Sequence, residues 1–201
     1  MSSPPYIVGI GGTTRAGSSS ERLVRCVLSE AEMLGADTRL FGGEALSTLP
    51  HYAPENSARS PEQLDLLRAL RRANGVVIGT PAYHGGVSGL VKNALDLTED
   101  MREDSNSYFS GRAVGTLVTA AGWQACGVTL QALRGIVHAL RGWPTPIGIS
   151  VNTSAQEVFD GQGNIIDPAL LETCKLQAEQ IMLMAESRHS EMARFPKKPT
   201  F

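Results

Sequence analysis

The chain has 201 residues, 42% of them hydrophobic and 19% charged, with a formal net charge of -2. These values suit one α/β domain with a continuous core and exclude a disordered chain, and no dense run of Lys and Arg offers a footprint for nucleic acid. No apolar stretch reaches the roughly 20 residues that a bilayer span needs, and the start at Met1 lacks the basic and apolar parts of a secretory signal, so a cytoplasmic protein without a membrane partner is expected.

Residues 6–10 are a short apolar, β-branched run between prolines and glycines and read as a buried strand. Residues 20–34 carry Leu23, Val27, Ala31 and Leu34 at helical spacing, and Gly35 is a plausible terminator. Residues 38–41 make a weak second strand. Residues 42–59 are punctuated by Pro and Gly without clear periodicity and read as a long loop. Ser60, Pro61 and Gln63 form a helix start of the capping-box type, with Leu64, Leu67 and Leu70 expected on one face and Asn74-Gly75 closing the helix. Residues 76–79 are the clearest strand. A helix follows over 88–97, with Leu90, Val91, Ala94 and Leu95 toward the core, and then a polar, loop-like stretch over 101–111. A fourth strand at 113–118, a helix over 128–140 and a fifth strand at 146–151 come next. Asp167 as N-cap and Pro168 at the first helical position open a long terminal helix to about residue 188. The tail over 191–201 reads as irregular.

Alternating strands and helices predict a doubly wound α/β sandwich of three layers, and the small size favours a five-stranded parallel sheet in the flavodoxin-like order 2-1-3-4-5. The whole chain, residues 1–201, reads as one domain with its core over about 6–188. Cys26, Cys126 and Cys174 form no metal pattern or disulfide framework and read as small buried hydrophobes.

In such a sheet, ligands bind beyond the carboxyl ends of the strands, so the loops after strands one, three and four carry the chemistry. The first, residues 11–20, combines glycines, hydroxyls and Arg15 just before a helix, a donor set suited to a phosphate. It matches neither Gly-x-Gly-x-x-Gly nor a P-loop. The second offers Pro81, Ala82, Tyr83, His84, Gly85 and Gly86: planar surfaces and bare backbone for a flat heteroaromatic ring. The third offers Ala121 and Gly122 as small residues beside Trp123, which is either a lid on the solvent side or a packing residue.

The first loop resembles the Gly-Ser-x-Arg-x-x-Ser-x-Asn/Ser phosphate loop of NAD(P)H-dependent FMN reductases, with Thr13, Arg15, Ser18 and Ser20 at the matching positions. Residues 80–96 are similar to that family's second signature, Pro-x-Tyr-x-x-x-x-Ser-Gly-x-Leu-Lys-Asn-x-x-Asp, and the similarity covers roughly residues 6–185. Departures are Thr13 for the first Ser, Ser20 for a frequent Asn, Ala82 where Glu is common, and an insertion-like segment over 99–110.

The resemblance implies FMN with its phosphate on Thr13, Arg15, Ser18 and Ser20 and its ring between the 81–86 and 121–123 loops. NADPH or NADH would deliver hydride from nicotinamide C4 to flavin N5. It calls for no catalytic acid or base, because the cofactor carries the chemistry. Electrons then pass to a small-molecule acceptor, such as free flavin, a quinone, an azo dye or a metal oxyanion, or to a partner flavin-dependent monooxygenase. A homodimer or homotetramer is expected, with the 88–97 helix in the interface. Two other readings stand beside this one: a flavodoxin-type electron carrier, and a flavin-fold module without cofactor.

Overall fold

Apolar strands alternate with amphipathic helices along the chain, and the sheet they build carries helices on both faces. The computed structural model describes residues 3–155 and 157–194, with side chains as far as Ser187. In chain order the elements are β1 (Tyr6–Gly11), α1 (Ser19–Met33), β2 (Asp37–Phe41), α2 (Gly43–Ser47), α3 (Pro61–Arg72), β3 (Gly75–Tyr83), β4 (Gly86–Val87) and α4 (Gly89–Asp96). A 3-10 turn (Leu97–Met101) follows, then β5 (Ala113–Ala120), α5 (Trp123–Ala139), β6 (Trp143–Asn152) and α6 (Pro168–Arg194). The sheet order is β2-β1-β3-β5-β6 with every neighbour parallel, and β4 pairs antiparallel with the end of β3. This is the expected flavodoxin-like order with one two-residue strand added.

Side chains alternate across the sheet and fill two cores. Val8, Ile10, Val76, Ile78, Val114 and Val118 meet α3, α4 and α5, while Ile7, Val77, Leu117 and Ile149 meet α1 and α6. Because the central strands are covered on both sides, they read as continuous apolar runs in the sequence. Gly35 ends α1 at φ +92°, the left-handed conformation that glycine adopts most readily.

The helix starts expected at Ser60 and Asp167 form as read. Gln63 N–H donates to Ser60 Oγ at 3.3 Å and Ser60 N–H donates to Gln63 Oε1 at 3.0 Å, and Asp167 Oδ1 accepts from Ala169 N–H at 2.9 Å. Several other expectations are corrected. Residues 42–59 contain α2, whose Leu46 is buried and whose Gly43 N–H donates to Glu21 Oε2 at 3.0 Å. Fixing α3 at Pro61 puts Gln63, Leu66, Leu67 and Leu70 inward and leaves Leu64 outside.

The 99–110 segment, irregular beyond Met101 as expected, is tied to its own chain. Met101 and Phe109 are buried, Arg59 pairs with Asp100 at 2.6 Å, and Arg71 pairs with Asp104 at 2.8 Å. Leu90, Val91 and Leu97 also pack into this core, so the apolar side of α4 is used within the chain. Helix α5 starts at Trp123, five residues before the expected 128, because apolar spacing does not register the Gly-containing first turn. Helix α6 continues to Arg194 through residues expected to be irregular, and residues 195–201 lie outside the described residues. Among the described residues no helix is long and apolar enough to cross a membrane.

Candidate functional site

At the carboxyl ends of β1, β3, β5 and β6 a cavity of about 460 Å³ is lined by Thr13, Thr14, Arg15, Ser18, Ser19, Ser20, Pro81, Ala82, Tyr83, Thr119, Ala120, Ala121 and Thr153. Its size is within the roughly 300–1,000 Å³ of small-molecule and cofactor sites. All three loops singled out in the sequence therefore reach one concavity, as the crossover geometry requires.

The first wall is the start of α1. Thr13 Oγ1 accepts from Arg15 N–H at 3.1 Å, so this hydroxyl bends the loop ahead of the helix. Ser18 is the N-cap residue, yet its side chain makes no capping hydrogen bond, and its Oγ lies 3.5 Å from Ser20 Oγ. Both serines are buried, at 2% and 1% exposure. A helix start leaves amide donors unsatisfied within the helix, and α3, α4 and α6 each present a side-chain oxygen to theirs, from Ser60, Ser88 and Asp167. Helix α1 does not, so its positive end is open to an anion.

Among the described residues lining the cavity, Arg15 is the one that carries a charge. Arg15 is exposed and forms no ion pair among the described residues. The nearby carboxylate of Glu21 is engaged elsewhere, by Gly43 N–H and by Arg25 at 3.1 Å, and lines a separate groove with Arg39 and Asp65. Arg22, one turn into α1, stacks 5.5 Å from the Phe159 ring centroid and buttresses the helix from the β6–α6 connection.

The second wall is a hairpin. Residues 80–83 continue β3 beyond the strand expected from the sequence, and Tyr83 pairs with Gly86 across His84 and Gly85. With φ of +53° and +76°, these two residues form the doubly left-handed turn that matches the twist of a tight hairpin. Thr80 closes its base: Oγ1 accepts from Ser88 N–H at 3.0 Å and donates to the Pro81 carbonyl at 2.9 Å. Ser88 Oγ in turn caps α4, and Asn93 ties the 50–52 stretch by accepting from Tyr52 N–H at 2.8 Å and donating to the Pro50 carbonyl at 3.1 Å. The later part of the second motif therefore builds the support, while Pro81, Ala82 and Tyr83 line the space. Tyr83 is 58% exposed at the rim.

The far wall is Thr119, Ala120 and Ala121, with Thr153 clipped on by its N–H to the Ala120 carbonyl at 2.8 Å. Helix α5 starts directly after it with Gly122 as N-cap, again without a side-chain cap.

Of the residues singled out in the sequence, Thr13, Arg15, Ser18, Ser20, Pro81, Ala82, Tyr83 and Ala121 come together around this cavity. His84 and Gly85 sit at the hairpin tip, Gly122 at the helix cap, and Trp123 lines a smaller neighbouring cavity of about 210 Å³ with Asn152, Asp167 and Leu170. Thr119 and Ala120 were within the third loop, over 119–127, but not separated from it, and Thr153, just past β6, was missed. Strand alternation carried beyond residue 118 would have turned Thr119 to the α1 side. Thr14 and Ser19 were within the first loop but not separated from it.

Residues 5–156 match the family model described as NADPH-dependent FMN reductase. The chain belongs to the NADPH-dependent FMN reductase family. Among curated relatives, the NAD(P)H-dependent FMN reductase PA1204 of Pseudomonas aeruginosa is 27% identical over 185 residues, covering 91% of this chain and 96% of that protein. The NADPH azoreductase of Bacillus sp. (strain OY1-2) is 39% identical over 128 residues, covering 61% of this chain and 67% of that protein. In fold, the chain is similar to the flavoenzyme FerB, an NAD(P)H:(acceptor) oxidoreductase from Paracoccus denitrificans, with a TM-score of 0.71, 19% identity and coverage of 92% and 98% of the two chains. As a member of the FMN reductase family, the protein is an NAD(P)H-dependent flavin oxidoreductase with FMN as cofactor.

Proposed function

We propose that this protein holds FMN in the 460 Å³ cavity and passes electrons from NAD(P)H to a small-molecule acceptor. The observation that carries the reading is the open start of α1, with buried Ser18 and Ser20 and with Arg15 in no ion pair among the described residues, at one end of a concavity bounded by small residues and backbone. When bound, FMN accepts two electrons from the reduced nicotinamide and releases them to the acceptor.

The chain's own residues supply binding and orientation. Amides at the α1 start, the hydroxyls of Ser18 and Ser20 and the forked donors of Arg15 suit a dianionic monoester. Pro81 and Ala82 give the flat ring an apolar wall, and Thr119 and Thr153 offer hydroxyls between the two ends. The uncapped amides at the start of α5, beside Ala121, suit the edge of the ring where negative charge grows on reduction. Tyr83 at the rim bounds the face on which the nicotinamide and the acceptor take turns. No side chain is required to move a proton in this scheme.

The acceptor class favoured is a quinone, azo dye or free flavin, in line with the names of the relatives. Supply of reduced flavin to a partner monooxygenase is the further possibility within this reading. A single FMN-binding domain that acts in the cytoplasm as a homodimer or homotetramer completes it.

The test is steady-state turnover of the purified protein, with NADH or NADPH and each acceptor class in turn. Oxidation of the nicotinamide that depends on FMN supports the proposal. Failure to oxidise either nucleotide with any acceptor, while the bound flavin still takes up electrons from dithionite, would leave an electron carrier instead.

A further inference from the structure

Helices α1 and α6 share one face of the sheet, and their contact contains two of the three cysteines. Arg22, Cys26 and Glu30 follow one another at intervals of four along one flank of α1. That flank is turned to the C-terminal part of the chain: Arg22 touches Phe159, and Cys26 packs against the buried cluster that contains Cys174 of α6. Cys174 is wholly buried among Leu23, Val27, Ala178 and Ile181, whereas Cys26, expected to be buried, is only partly so. One thiol is reachable from solvent and the other waits behind it.

We infer that Cys26 and Cys174 are a peroxide-sensitive dithiol that closes to a disulfide between α1 and α6. Exposure assigns the two roles, Cys26 being partly open to solvent and Cys174 buried. The neighbouring Cys174 lowers the pKa of Cys26 against the opposing effects of burial and Glu30, while Cys26 and burial raise that of Cys174. Cys26 is therefore the thiol that meets peroxide and Cys174 the resolving thiol.

In the first step the Cys26 sulfur attacks one oxygen of hydrogen peroxide and the O–O bond breaks. Hydroxide leaves to become water and Cys26 becomes a sulfenic acid. In the second, the Cys174 sulfur attacks the Cys26 sulfur, the S–O bond breaks, and hydroxide leaves with the thiol proton as a second water. Two thiols lose two electrons and one peroxide gains them. The product staples the helix that carries Ser18 and Ser20 to α6. Cys126 is outside this chemistry: it is 1% exposed, its thiol donates to the Val151 carbonyl at 3.5 Å, and burial pushes its pKa up.

The test treats the FMN-loaded protein with a small excess of hydrogen peroxide, alkylates it under denaturing conditions and maps the peptides without reduction. The expected result is a Cys26–Cys174 cross-link within one chain, with Cys126 alkylated. Cys126→Ser should leave the cross-link intact. In Cys174→Ser, Cys26 should instead be trapped as sulfenic acid by a cyclic 1,3-dione. Three alkylated thiols after treatment, a cross-link between two chains, a cross-link that needs Cys126, or no sulfenic acid in Cys174→Ser would each overturn the inference.

Discussion

Thr80 and Ser88 lock the hairpin that borders the candidate site: one hydroxyl takes the Ser88 N–H at 3.0 Å and returns a bond to the Pro81 carbonyl at 2.9 Å, all out of contact with solvent. Thr80→Val keeps the shape and removes both bonds, leaving the Ser88 N–H buried without a partner. The expected cost is about 1–3 kcal/mol of folding stability. FMN and riboflavin should lose affinity by the same factor, because the hairpin meets the ring and not the phosphate. Titrations of both flavins against the variant check this, and a loss confined to FMN would be inconsistent with it.

Gly43 lies outside the cavity but controls it. A Cβ at this position would sit 1.7 Å from the Thr13 carbonyl oxygen, which is backbone and has little room to yield. Gly43→Ala should displace the first loop and weaken FMN binding by about tenfold or more, roughly 1.4 kcal/mol. Flavin fluorescence titration measures the change. Wild-type affinity in a folded Gly43→Ala protein would show that the loop is not held from this side.

Ser60→Ala removes one half of the capping box of α3. About 1 kcal/mol of stability should be lost, seen as a lower urea midpoint with unchanged m-value. FMN affinity should not move, since α3 contributes nothing to the cavity lining.

Asp65 hydrogen-bonds with Arg39 across β2 and α3, and this lowers its pKa in the folded state against a smaller opposing effect of burial. A depressed folded pKa contributes stability above the unfolded value of about 3.9. That contribution disappears as pH falls through the folded value. The side chains are 45% and 35% exposed, so solvent screens the pair and the gain is a few tenths of a kcal/mol. Asp65→Asn should be slightly less stable than wild type at pH 7 and equal to it near pH ~2. Urea unfolding at both pH values tests the sign.

The fold was legible because the strands are covered on both faces and appear as runs such as Val76, Val77 and Ile78, while Ser60 and Asp167 mark helix starts by chemistry rather than by periodicity. Spacing failed where no apolar stripe exists. Helix α2 is five residues long and is anchored by Glu21 from another element, and α5 starts with Gly122 as N-cap and exposed Trp123. The 99–110 segment looked polar because ion pairs join it to the core alongside only a few buried side chains, Met101 and Phe109 the deepest. At the site, the end of β3 was found through Pro81, Ala82 and Tyr83, whereas Thr119 and Thr153 were not singled out. Thr119 and Thr153 are chosen by where the strands end, which pairing with neighbours decides.

The central claim is that the start of α1 holds the phosphate of FMN, and the sharpest measurement is the ratio of FMN to riboflavin affinity in wild type and in Arg15→Ala/Ser18→Ala. The two flavins differ only by that phosphate. The account predicts that wild type prefers FMN by about a hundredfold or more, as two charge-assisted hydrogen bonds would give, and that the double variant loses most of this preference while keeping its riboflavin affinity. A double variant that retains the wild-type preference for FMN would contradict it.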